Sequence, residues 1–304
     1  MTNTASAPKK KRRLSMHQKQ SLAGWAFLMP ATLLIFIMSF YPMFSALLTS
    51  FKRGKPTALV WSEPLWRNYQ FMLKDKVFLQ SVTNTLTYLV IQVPIMLILA
   101  VIFASLLNNR DLKFRGLFRT CIFLPCATGL VAYSMIFRTL FTYDGMVNNI
   151  LIKFGVLSEA INWLNDPVYA KAVIIIGLVW RWTGYNMVFY LSAMQSIDYS
   201  IYEAARIDGA NSVQQLIRIT IPLLRPIILV TAIMSTNGTL QLFDESVNLT
   251  RGGPGNMTIT MSHYIYNTMF TKNPNFGYAA AMSFVILVMV AVLAAIQMKV
   301  GDKR

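Results

Sequence analysis

The stretch "YSIYEAARIDGANSVQQLIRITIP", Tyr199–Pro222, is a long polar interval in the second half of a strongly apolar chain. Ser200 and Glu203 have capping-box spacing, so a helix can begin near Ile201. Asp208-Gly209 is a turn signal that can stop it. Ser212 and Gln215 repeat the capping spacing and open a second helix. There Val213, Leu216 and Ile217 share one face, while Gln214, Gln215 and Arg218 take the other. Pro222 and Pro226 then mark the entry to an apolar run. The spacing predicts two short helices joined by a small-residue corner.

Working outward, apolar runs long enough to cross a bilayer flank this corner. An α-helix needs about 20 apolar residues to cross roughly 30 Å of hydrocarbon. Six such runs are read, at residues 22–51, 81–107, 120–141, 170–197, 223–243 and 277–298. Hydrophobic residues make up 55% of the 304 and charged ones 13%, too few to clothe a soluble particle. The expected class is therefore an all-α integral membrane protein with six transmembrane helices. A β-barrel would show short alternating segments, and these runs are continuous. The first run is too long for a cleaved signal peptide and lacks a small-residue cleavage site. Cys121 and Cys126 flank Leu124-Pro125 without metal-site spacing and read as buried small residues.

The net charge of +16 is explained by topology. "PKKKRR", Pro8–Arg13, resembles a nuclear-import tract, but in a polytopic chain a basic tail holds the amino end in the cytoplasm. Six spans return the carboxyl end to the same side. On that N-in, C-in topology 16 of the 28 Lys and Arg lie inside, 9 outside and 3 within spans (Arg138, Lys171, Arg181). One external loop dissents, since Lys52 to Lys76 holds six basic residues. The expected division is a disordered basic tail over residues 1–21 and one transmembrane domain over 22–304, with the corner at 199–222 on the cytoplasmic side. External loops at 52–80, 142–169 and 244–276 are too short to fold as separate enzymes.

Three uses compete for the corner. A DNA-reading helix-turn-helix would be pressed against lipid by the adjoining spans, which disfavours nucleic acid. A passive interfacial helix is the second. A knob that docks in a groove of a cytosolic protein is the third. The residues Glu203-Ala204-Ala205, Gly209 and Ile219-Thr220-Ile221-Pro222 resemble the EAA loop of permease subunits in binding-protein-dependent ABC importers. The one departure is Ile221, where the family pattern has leucine. "WAFLMPATLLIFIMSFYPMFSALLTSF" (Trp25–Phe51), "FRTCIFLPCATGLVAYSMIFRTLF" (Phe118–Phe141), "INWLNDP" (Ile161–Pro167) and "LTRGGPGNMT" (Leu249–Thr258) are similar to the MalF/UgpA-like carbohydrate-uptake subgroup.

That resemblance implies a MetI-like permease fold in a bacterial or archaeal plasma membrane. It implies a second, related permease, a cytosolic ABC ATPase dimer that receives the corner, and an external solute-binding protein that delivers a sugar, an oligosaccharide in size. Glu203 would face basic residues of the ATPase, Ala204 and Ala205 would allow close packing, and Asp208-Gly209 would make the turn. For Glu203 the plainer reading is completion of the capping box. Glycerol-phosphate importers share much of the pattern, so that solute class stays open.

Within the spans, Trp182, Tyr185, Asn186 and Phe189 fall on one helical face, and aromatic faces beside amides suit sugar rings. Asn237 and Gln241 lie at i, i+4 in the fifth span with Gly238 beside them. Helix packing and interhelical hydrogen bonding explain these residues equally well. No Walker-type glycine-lysine loop or catalytic constellation occurs, and His17 and His263 lie in a tail and an external segment. No enzyme activity, cofactor or metal is therefore expected of this chain. The rival of another class, an ion-coupled secondary transporter, calls for acidic residues within spans. Asp244 and Glu245 fall at an outer end.

Overall fold

A computed structural model of the protein describes residues 15–109, 112–271 and 273–301. Most of the basic tail expected over 1–21 lies outside these, but a helix, α1 (Met16–Ile35), already runs through the end of that interval. One π-helical turn, Phe36–Phe40, joins α1 to α2 (Tyr41–Ser50). A small hairpin follows, β1 (Lys52–Arg53) against β2 (Val60–Trp61), then α3 (Arg67–Met72). The long helices are α4 (Lys76–Asn108), α8 (Pro167–Gln195), α11 (Ile221–Leu240) and α13 (Phe276–Gly301), with the short α7 (Met146–Lys153) before α8 and α12 (Met261–Phe270) before α13. Among the described residues five helices are long and apolar enough to cross a membrane, six if one bent pair counts as a span.

That bent pair corrects the expectation of an unbroken helix over 120–141. It is α5 (Arg115–Ala127) and α6 (Leu130–Leu140), which meet at 99°. Pro125 occupies the last turn of α5, where its missing N–H costs the ladder a bond. Thr128 and Gly129 are then extended, and Thr128 Oγ1 donates to the Pro125 carbonyl at 2.7 Å. A hydropathy window averages over such a break and does not register it.

The spans are tied by small and polar residues, as expected where lipid removes the hydrophobic drive between helices. Ala100 and Ala104 of α4 are fully buried beside Met187, Tyr190 and Leu191 of α8. Gly184 of α8 admits the α5 backbone, since a Cβ there would lie 2.0 Å from the Ile122 carbonyl oxygen. Along α4, Asn84 donates to the Ile259 carbonyl at 2.9 Å and Gln92 accepts from Thr239 Oγ1 at 3.0 Å. Interhelical hydrogen bonds such as that between Gln92 and Thr239 contribute about 0.6 kcal/mol each in bilayers. At the external end Asp75 Oδ1 caps α4 through Val77 N and Phe78 N. Its Oδ2 accepts from Tyr264 Oη at 2.6 Å and Tyr278 Oη at 2.7 Å.

The first span behaves differently. Over Gln20–Ser50 the most apolar window buries nothing inside the chain. Only the α2 end of this span packs, against α13. Cys121 and Cys126 are free, and both are at least partly accessible rather than buried as expected. Their shared helix α5 turns much of its length outward.

Candidate functional site

The corner is present as two helices, α9 (Tyr199–Ile207) and α10 (Ser212–Gln215), the latter running through a π-helical turn at Leu216–Thr220 into α11. The caps sit one to two residues earlier than the sequence spacing suggested. Asp198, whose carboxylate accepts from Ser200 N at 3.0 Å, caps α9 in place of Ser200. Asn211 and Gln214 form the capping box of α10 in place of Ser212 and Gln215, each side chain bonding the other's backbone N–H. Asp and Asn outrank Thr, and rival Ser, as caps, and Asn-x-x-Gln is itself a capping pattern, so the signal was available. Gln215 is freed for another job: it is buried and donates to the Ala210 carbonyl at 2.8 Å. It was expected on the polar outer face.

The turn between them is a Schellman motif. Ala210 N donates to the Ala205 carbonyl at 2.8 Å and Gly209 N to the Arg206 carbonyl at 3.0 Å, with Gly209 at φ +80°. A Cβ at Gly209 would meet nothing within 4 Å, so glycine is required for its backbone conformation and not for space. The corner is braced inward by Tyr202 Oη to Thr220 Oγ1 at 3.0 Å and by Leu216 packed beneath. Its outer side is free within the chain. Glu203, Ala204, Ile207, Asp208 and Gly209 are all exposed, Ala205 half-buried, and Ile207 is 87% exposed. Glu203 takes no part in the α9 cap, which disposes of its plainer reading. A cavity of about 1180 Å³ opens between the corner and the ends of α4, α5 and α8, lined by Tyr199, Tyr202, Arg206 and Gln215 among others.

The span residues do not form one face. Trp182, Tyr185 and Phe189 make an edge-to-face ladder, with ring centroids 5.7 and 5.0 Å apart and partial exposure. Asn186 turns the other way. It is buried, donates to the Trp182 carbonyl at 3.0 Å and lies 3.5 Å from Met96 Sδ, so it serves α4–α8 packing. Asn237 and Gln241 are exposed and hydrogen-bonded to each other, on α11 and just past its end. The chain brings the aromatic ladder together, and the amide pair is exposed at the end of another helix, α11.

Two charged residues lie inside, Arg181, which the sequence placed within a span, and Glu245, which it placed at an outer end. Arg181 is 6% exposed and Glu245 3%. Arg181 Nη2 donates to the Thr128 carbonyl at 3.3 Å, the oxygen released where α5 breaks. Its guanidinium also lies over the Tyr133 and Trp182 rings, 5.2 and 5.5 Å from their centroids. Nε and Nη1 of Arg181 have no partner, nor do Tyr133 Oη and Ser134 Oγ. Glu245 is held toward its neutral form by burial, with Arg181 partly offsetting this. His263 is also buried, its Nδ1 2.9 Å from Ser246 Oγ, and burial lowers its basicity.

Residues 73–302 match the family described as the binding-protein-dependent transport system inner membrane component. The lactose transport system permease protein LacF of Rhizobium radiobacter is 49% identical, over 96% of this chain and 98% of that one. The arabinooligosaccharide permease AraP of Halalkalibacterium halodurans is 32% identical over 95% and 91%. The trehalose/maltose permease MalF of Thermococcus litoralis is 30% identical over 94% and 96%. Among solved structures, a bacterial ABC transporter that imports alginate superposes with a TM-score of 0.79 at 22% identity, over 94% and 96% of the two chains.

Proposed function

Since the chain belongs to the family of inner-membrane components of binding-protein-dependent transport systems, we propose that it is the permease through which a sugar of oligosaccharide size crosses the membrane in an ATP-driven importer. It is a membrane permease and not an enzyme, with ATP hydrolysis on separate subunits. The sugar assignment is supported by relatives named for lactose, arabinooligosaccharides and trehalose/maltose. We assign the complex a second, related permease, two cytosolic ATPases below and an external solute-binding protein above, in a bacterial or archaeal plasma membrane.

The observation that carries the mechanism is the free outer face of the corner. Glu203, Ala204, Asp208 and Gly209 are exposed at a Schellman turn, with α9 bonded on its inner side to the π-helical turn that leads into α11, and Ala205 lies half-buried beside them. A groove on an ATPase that receives this face can push it as one body, and the cavity behind it leaves room for the push. ATP-driven closure then favours one of two permease conformations by binding it better. The ladder Trp182, Tyr185 and Phe189 is the sugar-stacking surface we assign to the pathway. Asn237 and Gln241 face outward for the second permease to complete that pathway, and Asn186 supports the ladder from behind.

The experiment is uptake of radiolabelled lactose by vesicles holding the whole importer. Glu203→Lys is expected to abolish uptake and ATPase association while membrane insertion stays intact. Normal transport by that variant would falsify the docking role. A glycerol-phosphate solute is distinguished by competition with glycerol 3-phosphate, and ion coupling by uptake that an ionophore stops and ATP depletion does not.

A further inference from the structure

We propose that Arg181 and Glu245 are two halves of one buried ion pair that stands open in this conformation and closes in the other transport state, with the broken span α5–α6 as the moving part. Removing one partner of a buried charge pair is costly, because it leaves the other charge uncompensated. Here both partners are inside and not hydrogen-bonded to each other: two of the three guanidinium nitrogens are orphaned, and the third holds only a carbonyl oxygen. Buried donors are almost always satisfied, so these two nitrogens have capacity for an acceptor that a second arrangement would supply. The bond that Arg181 does make is to Thr128, at the 99° break between α5 and α6. Glu245 enters from the segment after α11, and that segment packs on α6.

The segment that Glu245 opens packs on α6 and on α8, the helix that carries Arg181, and Arg181 draws the Glu245 carboxyl toward its charged form against the larger pull of burial. Surrendering Thr128 for Glu245 would give the guanidinium a charged acceptor in a planar fork geometry that a single carbonyl does not use. The carbonyl so released sits beside two extended residues with no helical partner to lose. The exchange is local, cheap in backbone terms and placed where α5 and α6 can swing. Arg181 is thus a positioning residue: buried behind the Trp182 ring, it decides which way the broken span leans.

The proposal rests on the ATP-driven reading above, and lactose uptake by unaltered vesicles, dependent on ATP and on binding protein, tests that reading separately. Given such uptake, Arg181→Gln and Glu245→Gln are each expected to lower its rate about tenfold without loss of copurifying ATPase, and the double variant is expected to be no worse than either single. Multiplying defects in the double variant, or full uptake in it, overturns the pairing. Independently, Arg181→Cys with Glu245→Cys is placed in a chain whose Cys121 and Cys126 are serine, and bridged with a short bifunctional thiol reagent. Cross-linking is expected to differ about fivefold between nucleotide-free and vanadate-trapped importer. Equal yields in both states overturn the proposal.

Discussion

Gly209 shows how much of the corner rests on a single backbone angle. At φ +80° a non-glycine residue is strained by about 1 kcal/mol even though nothing crowds its Cβ. Gly209→Ala is expected to loosen the α9–α10 turn, read as faster amide exchange at Gly209 and Ala210, and Gly209→Asn to recover most of the loss. Equal exchange in all three chains would contradict a conformational role. Gly209 was legible from sequence because the Asp-Gly dipeptide names its own geometry. Asp198 and Asn211 were displaced by neighbours of similar chemistry, as several hydroxyl and carboxyl residues compete for each cap. Arg181 was legible as a charge within a span, but its partner was not: Glu245, at the end of an apolar run, reads as a surface residue until the segment after α11 is known to fold inward.

Among the elements, the external segment after α11 is held by one buried imidazole. Ser246 Oγ, the Phe243 ring and the Gly252 backbone enclose His263. Burial lowers its pKa from the ordinary 6.5, so the folded segment holds fewer protons than the unfolded one just below that value. Stability therefore falls as pH drops through the ordinary imidazole range and is intact above it. The protection factor over residues 243–260, amide exchange relative to its intrinsic rate at each pH, is expected to fall between about pH 7.5 and about pH 5, and His263→Asn to remove most of that dependence. A protection factor flat across that range would refute this. Helix existence was largely readable from hydropathy, and the ends of α4, α8 and α13 fall close to the expected spans. The break in α5–α6 was not, because Pro125 permits a bend without fixing its angle.

For the molecule as a whole, the first span is the part that the chain's own packing does not explain. It buries none of its most apolar window against the rest, which leaves that face to lipid or to the second permease proposed above. A chain beginning at Tyr41 is expected to keep its thermal unfolding midpoint in detergent while losing copurification with the second permease; a large drop in midpoint would show that α1 serves this subunit's own core. The polar face of α4 carries a further consequence, in the order of synthesis. Asn84, Gln92 and Asp75 find their partners at Ile259, Thr239 and Tyr278, far along the chain. At roughly 5–20 residues per second, the last of these leaves the ribosome some tens of seconds after Asp75. Through that interval Asn84 and Gln92 have only the bonds they make within α4, to Gln80 and Met96. The nascent permease is thus most open to quality-control proteases before its final helix arrives.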